Sequence, residues 1–149
     1  MEVTIKGTTK TLKFNFKALF NAKKEFSTLD KDGNNLGDGA ANLFTRLIQG
    51  DSSAIPDVIK VAGGFNKVSD DDLFAAIDEL TEDGQKIDET LEEMKEELKA
   101  SGFFFQSIKA QKKSLDENLP ILEKRSKTEE DEQRVEAVKR IQKLLNDNL

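Results

Sequence analysis

The longest regular pattern in the chain lies between Ile87 and Phe105. Ile87, Leu91, Met94 and Leu98 recur at spacings of four, three and four, which lays a single apolar seam along a helix. The opposite face carries Asp88, Glu89, Glu92, Glu93, Glu96 and Glu97, interrupted only by Lys95 and Lys99, so the helix buries one stripe and keeps the rest in water. Gly102 then reads as a left-handed helix stop. It is followed by Phe103, Phe104 and Phe105. If helix resumes there, the three rings fan over roughly 200° at about 100° per residue, too wide for one core face. Either two neighbouring elements cover them or a ring meets another molecule.

Earlier in the chain the period is two. Val3 and Ile5 share one face of an alternating run and Leu12 and Phe14 share one face of the next, with Gly7-Thr8-Thr9 between, which predicts a β-hairpin. Asn15 then caps a helix whose apolar stripe is Phe16, Leu19, Phe20 and Phe26, with Lys17, Lys23 and Lys24 outward. A two-stranded hairpin is marginal alone, so this helix is expected to cover its inner face. Three further helices follow. Asp38 caps one burying Leu43, Phe44, Leu47 and Ile48, which Gly50 ends. The next starts at Asp51 to Ser53, holds Pro56 near its first turn, buries Ile55, Val58, Ile59 and Ala62, and stops at Gly63-Gly64. In the third, Ser69 and Asp72 form a capping box ahead of Leu73, Phe74, Ile77 and Leu80. Beyond the phenylalanines, Ile108, Leu115, Leu119 and Leu122 continue a helical stripe until Pro120 disturbs it. A charged helix restarts near Thr128, with Val135, Val138, Ile141, Leu144 and Leu145 as its apolar positions. Its few apolar residues leave two options open, loose or partner-bound attachment and firm docking. The fold class is therefore α+β, mostly α: an N-terminal β-hairpin, a small helical bundle with a long acidic helix, and a C-terminal helix over residues 120–149.

Composition narrows the chemistry. The chain has no cysteine and no histidine, which removes disulfides, thiolate and imidazole metal sites and the usual nucleophilic triads, so an enzyme is not expected. The alternating start shows no signal peptide and no apolar run is long enough for a membrane span. A net charge of −6 argues against nucleic acid as a partner. The charge is uneven, with seven lysines against three acids in residues 1–31 and seventeen acids against six bases in residues 32–102; a solvated acidic surface is the better reading of this asymmetry, with head-to-tail self-association or a basic partner as the alternatives. All aromatics are phenylalanine, which favours purely apolar burial.

One stretch resembles a calcium loop. Asp30, Asp32, Asn34 and Asp38 occupy the first, third, fifth and ninth positions of an EF-hand pattern. The pattern then fails, with Asn35 where Gly belongs, Gly37 where a branched apolar residue belongs, and Ala41 in place of the closing Glu. A Gly/Asn/Asp-rich surface loop is the better reading, and neither a metal site nor a cofactor site is expected. A calcium-responsive or regulatory helical binding module stands as the alternative function.

The order of these signals resembles the tail assembly chaperones of long-tailed bacteriophages and prophages of Gram-positive hosts. The resemblance rests on Leu12-Lys13-Phe14-Asn15-Phe16-Lys17-Ala18-Leu19 after a short β segment, on the Asp38-Gly39-Ala40 helix start, and on the helix end Leu98-Lys99-Ala100-Ser101-Gly102-Phe103-Phe104, and covers about Met1 to Lys113. It implies a single chaperone-like domain over residues 1–119, no enzymatic activity, and action in the host cytoplasm without retention in the finished virion. The partners it implies are the tape measure protein and the tail tube protein. On that footing Leu91, Met94, Leu98, Phe103, Phe104 and Phe105 are the candidate partner-binding residues, with the domain's own core as their competing role.

Overall fold

The computed structural model describes all 149 residues. Two strands, β1 (Glu2–Ile5) and β2 (Thr8–Thr11), precede seven helices: α1 (Phe16–Phe26), α2 (Gly39–Ile48), α3 (Ala54–Ala62), α4 (Asp70–Leu80), α5 (Ile87–Ala100), α6 (Gly102–Arg125) and α7 (Glu129–Asn148). The fold is α+β and mostly α. No helix is long and apolar enough to cross a membrane.

The hairpin turns one residue earlier than Gly7-Thr8-Thr9 suggests. Lys6 and Gly7 both take positive φ, 50° and 75°, as a two-residue turn matched to strand twist requires, and Thr8 and Thr9 pair with Ile5 and Thr4. Val3 and Ile5 are buried. The helix packed on β1 is α4, not α1: the chain leaves β2 through the Asn15 cap so that α1 packs on α2 and α3, while Lys10 of β2 reaches the Gly64 carbonyl in the segment between α3 and α4. Lys6 bonds Asp72 at 3.0 Å, which takes the Asp72 carboxylate out of its expected capping box, while the Ser69 hydroxyl still accepts from the Asp72 N–H. On α4 only Leu73 and Ala76 are buried; Phe74, expected on that face, is exposed.

The centre of the bundle is α2, which packs against α1, α3, α5, α6 and α7 and buries Ala40, Leu43, Phe44 and Leu47. Its start lies against the backbone of α1: a Cβ on Gly39 would sit 2.0 Å from the Ala22 carbonyl oxygen. Asp38 stands at the N-cap position, but its carboxylate accepts from the Thr28 N–H and hydroxyl and from Asn42, and the Gly39 N–H is taken instead by the Ser27 hydroxyl. At the other end Gly50 adopts φ 75° and Arg46 fastens α2 to α3, with Nε 3.0 Å from Asp51 and Nη1 2.8 Å from Asp57.

The seam of α5 faces inward as its periodicity predicts, with Leu91, Met94 and Leu98 buried. Its end differs from expectation. Ser101, in extended conformation, closes α5 and caps α6: its hydroxyl donates to the Phe14 carbonyl at 2.7 Å and accepts from the Phe104 N–H. Gly102 is the first residue of α6 and has ordinary backbone geometry with open space around it. Pro120 does not stop α6, since it forfeits only the bond its missing N–H would have made to the Asp116 carbonyl in a 24-residue helix. α7 begins with a full capping box, Thr128 with Asp131, and docks on α6 and α2 with Leu145 wholly buried.

Two expectations follow. Gly39→Ala costs at least about 2 kcal/mol in chemical unfolding because backbone must move, whereas Gly102→Ala is neutral or stabilises by up to about 1 kcal/mol, the reverse of what a left-handed stop would give. The Asp51 carboxyl is held below its ordinary range, first by the Ser53 hydroxyl and then by Arg46. A lowered folded-state pKa stabilises fully above the unfolded Asp value of about 4 and is lost as pH falls through the folded value. The melting temperature therefore declines on acidification below about pH 4, and Asp51→Asn lowers it at neutral pH while flattening that acid limb.

Candidate functional site

The six residues singled out by the sequence separate into core and surface. Leu91, Met94, Leu98 and Phe104 are buried within the main hydrophobic cluster, so in the folded chain they serve as its own core. Phe104 also meets Phe14 edge-on, with ring centroids 5.8 Å apart. Phe105 is half-buried, with the Lys109 ammonium 5.3 Å from its ring centroid. Phe103 points out and is 50% exposed. The three rings thus leave α6 in three directions, as consecutive helical positions must.

Phe103 has company that periodicity misplaces. Phe16 and Phe20, expected in the buried stripe of α1, are 61% and 57% exposed, and Phe16 meets Phe103 edge-on at 5.8 Å. α1 buries Ala18, Leu19 and Ala22 instead. The cause is the close passage of α2: where Gly39 touches the Ala22 backbone only small side chains fit, so Ala18 and Ala22, one turn apart, take the inner face and rotate the rings outward. The signal available in the sequence was this Ala18/Ala22 pair together with a glycine opening the next helix.

Beside the rings, α1 and α6 enclose a shallow depression of about 730 Å³, lined by Leu19, Lys23, Phe103, Gln106 and Ala110 among others. Lys17, Lys23 and Lys24 are exposed on the same helix as Phe16 and Phe20. The result is an aromatic surface with a cationic margin, while the acids of α5 lie on another element. Three large exposed rings, two of them in contact, exceed the singly scattered apolar residues ordinary on a soluble surface.

The other candidates hold no comparable site. The Asp30 carboxylate accepts from the Asp32 and Asn34 N–H groups at 2.9 Å and from the Asn34 amide, and these bonds, the Asn34 N–H foremost, keep it below the usual carboxylate range. Leu29 and Asn35 form a β-bridge that closes the loop, and Asp38 is turned to Thr28 and Asn42, so the oxygens that match the calcium pattern serve separate partners. No three acids lie close enough to share an ion. A polar concavity of about 720 Å³ beside β2 carries Lys10, Lys13, Lys17 and Lys60 and no carboxylate.

Comparison with known families places this surface in context. The family model described as phage tail assembly chaperone protein, TAC, matches residues 2–113, three-quarters of the chain. No curated protein and no solved structure matches. The matched stretch contains the hairpin, α1 to α5 and the half of α6 that bears Phe103, and ends before α7. With its aromatic surface inside the matched region, the chain belongs to the phage tail assembly chaperone family.

Proposed function

We propose that the chain acts, without catalysis, by binding the tape measure protein through Phe16, Phe20 and Phe103 and by holding it extended and soluble in the host cytoplasm while the tail tube protein assembles around it. The observation that carries this reading is the exposed ring cluster within the family-matched region. An amphipathic helix laid over the rings would remove apolar surface from water, worth about 1.5–3 kcal/mol for each ring fully covered. The lysines along α1 favour clients with carboxylates flanking the apolar stripe, and the acidic faces of α4 and α5 stay in water and keep the complex soluble. Leu91, Met94, Leu98 and Phe104 belong to the core of the domain that carries the surface, and Phe105 is half-buried on another face of α6.

The test is co-expression with a tape measure protein. The triple variant Phe16→Ser, Phe20→Ser, Phe103→Ser is expected to keep a cooperative melt, lowered by no more than about 10 °C because at least half of each ring is in water, yet to leave the client insoluble. Phe104→Ala is the contrasting control and should cost about 3–5 kcal/mol of folding stability. A triple variant that melts normally and still solubilises the client would reject the surface.

A further inference from the structure

Residues 114–149 lie beyond the family match and build the second half of α6 and all of α7. α7 is a charged rod with one apolar edge, Val135, Val138, Ile141 and Leu145, that lies along α6 and over α2. Beneath it, Ala41 and Thr45 of α2 and Gln111 and Leu115 of α6 form the walls of a trough. Where α7 meets these walls, an open cleft of about 240 Å³ separates Ile141 and Leu145 from Asp38, Asn42, Arg46 and Gln49, so one flank of the trough is left to solvent. Few polar ties hold it: Gln142 donates to Asp116, and Lys139 lies 3.8 Å from Glu123. At the connection from α6 the Ser126 hydroxyl is buried with no hydrogen-bond partner, a cost that undocking would relieve. Leu145 is the only α7 residue with no exposed surface.

We propose that the α2–α6 trough is a binding site for an amphipathic helix, that α7 is its resident occupant, and that a client helix displaces α7. The occupant's chemistry is read from α7 itself: aliphatic residues at successive spacings of three, three and four, no aromatic ring, and charge on every other face. A tethered helix in the site lowers apparent affinity for an external one by the fraction of time the site is free. The identity of the client rests on the function proposed above; the trough and its competition do not.

The chain has no cysteine, so one engineered pair, placed beside the Asp116–Gln142 contact at facing α6 and α7 positions whose Cα atoms lie within about 7 Å, can be oxidised to fasten α7 to α6. The probe is a fluorescent synthetic peptide of residues 128–149. Full-length Val135→Ser, Ile141→Ser should bind it about tenfold more tightly than the parent chain, and the oxidised cysteine variant should not bind it until reduced. Equal binding in all forms, or binding in none, overturns the proposal. So does loss of a cooperative melt in Val135→Ser, Ile141→Ser, which would make α7 an inseparable part of the core. In a second arm the oxidised protein is mixed with a purified tape measure fragment. Solubilisation equal to that of the reduced form would reject competition with the client while leaving the aromatic surface untouched, whereas failure of the Phe16, Phe20 and Phe103 variant experiment would leave the peptide result standing.

Discussion

The contact on which the rest depends is the meeting of two backbones, Gly39 against the Ala22 carbonyl. Helices brought that close cannot hold large side chains at the crossing, so α1 lends Ala18 and Ala22 to the core and keeps Phe16 and Phe20 for the surface. The same contact sets α2 deep enough to be touched by five other helices. Surface aromatics are thus a consequence of core geometry, since the inner face of α1 has room only for methyl groups at that point.

A second constraint acts at Ser101. One serine closes α5 with its backbone N–H, which donates to the Glu97 carbonyl, while its hydroxyl opens α6 and reaches back to the Phe14 carbonyl, so the acidic helix, the phenylalanine run and the entry to α1 are fixed to one another. Phe104 then enters the core beside Phe14 and Phe103 arrives beside Phe16. Two edge-on ring pairs, one against the core and one at the surface, come from the adjacent Phe103 and Phe104 on one segment and from Phe14 and Phe16, two residues apart, on the other. Such pairs favour this geometry by about 0.5–1.5 kcal/mol beyond their area.

The parts of the fold legible in the sequence were those with a strong period. The seam of α5 and the inner faces of α2 and α3 follow from spacing, the helix start at Thr128 from its capping box and the hairpin from its alternation, whereas Asp38 at the start of α2 makes no cap bond. The errors share a cause. Phe16, Phe20 and Phe74 were assigned inward because they are large and apolar, but burial in a small bundle is set by how closely neighbours pass, which local pattern does not encode. Gly102 looked like a stop because it follows the last apolar position of α5, whereas the preceding serine ends α5 with its backbone N–H and starts α6 with its hydroxyl. Pro120 looked like a break because an interior proline loses a hydrogen bond and crowds the preceding turn, yet α6 runs on through it to Arg125. The candidate site was half legible: Phe103 stood out from three rings that could not share one face, while its partner Phe16 emerged only once α1 and α6 were placed in space.

Because the outward rings contribute little to holding the bundle together, their identity and its architecture are separable. The crossing of α1 and α2 tolerates almost no change in size, yet the rings it displaces can be exchanged for other apolar groups without disturbing it. The scaffold thus stays put while the outer apolar face of α1 and α6 can be remade one side chain at a time.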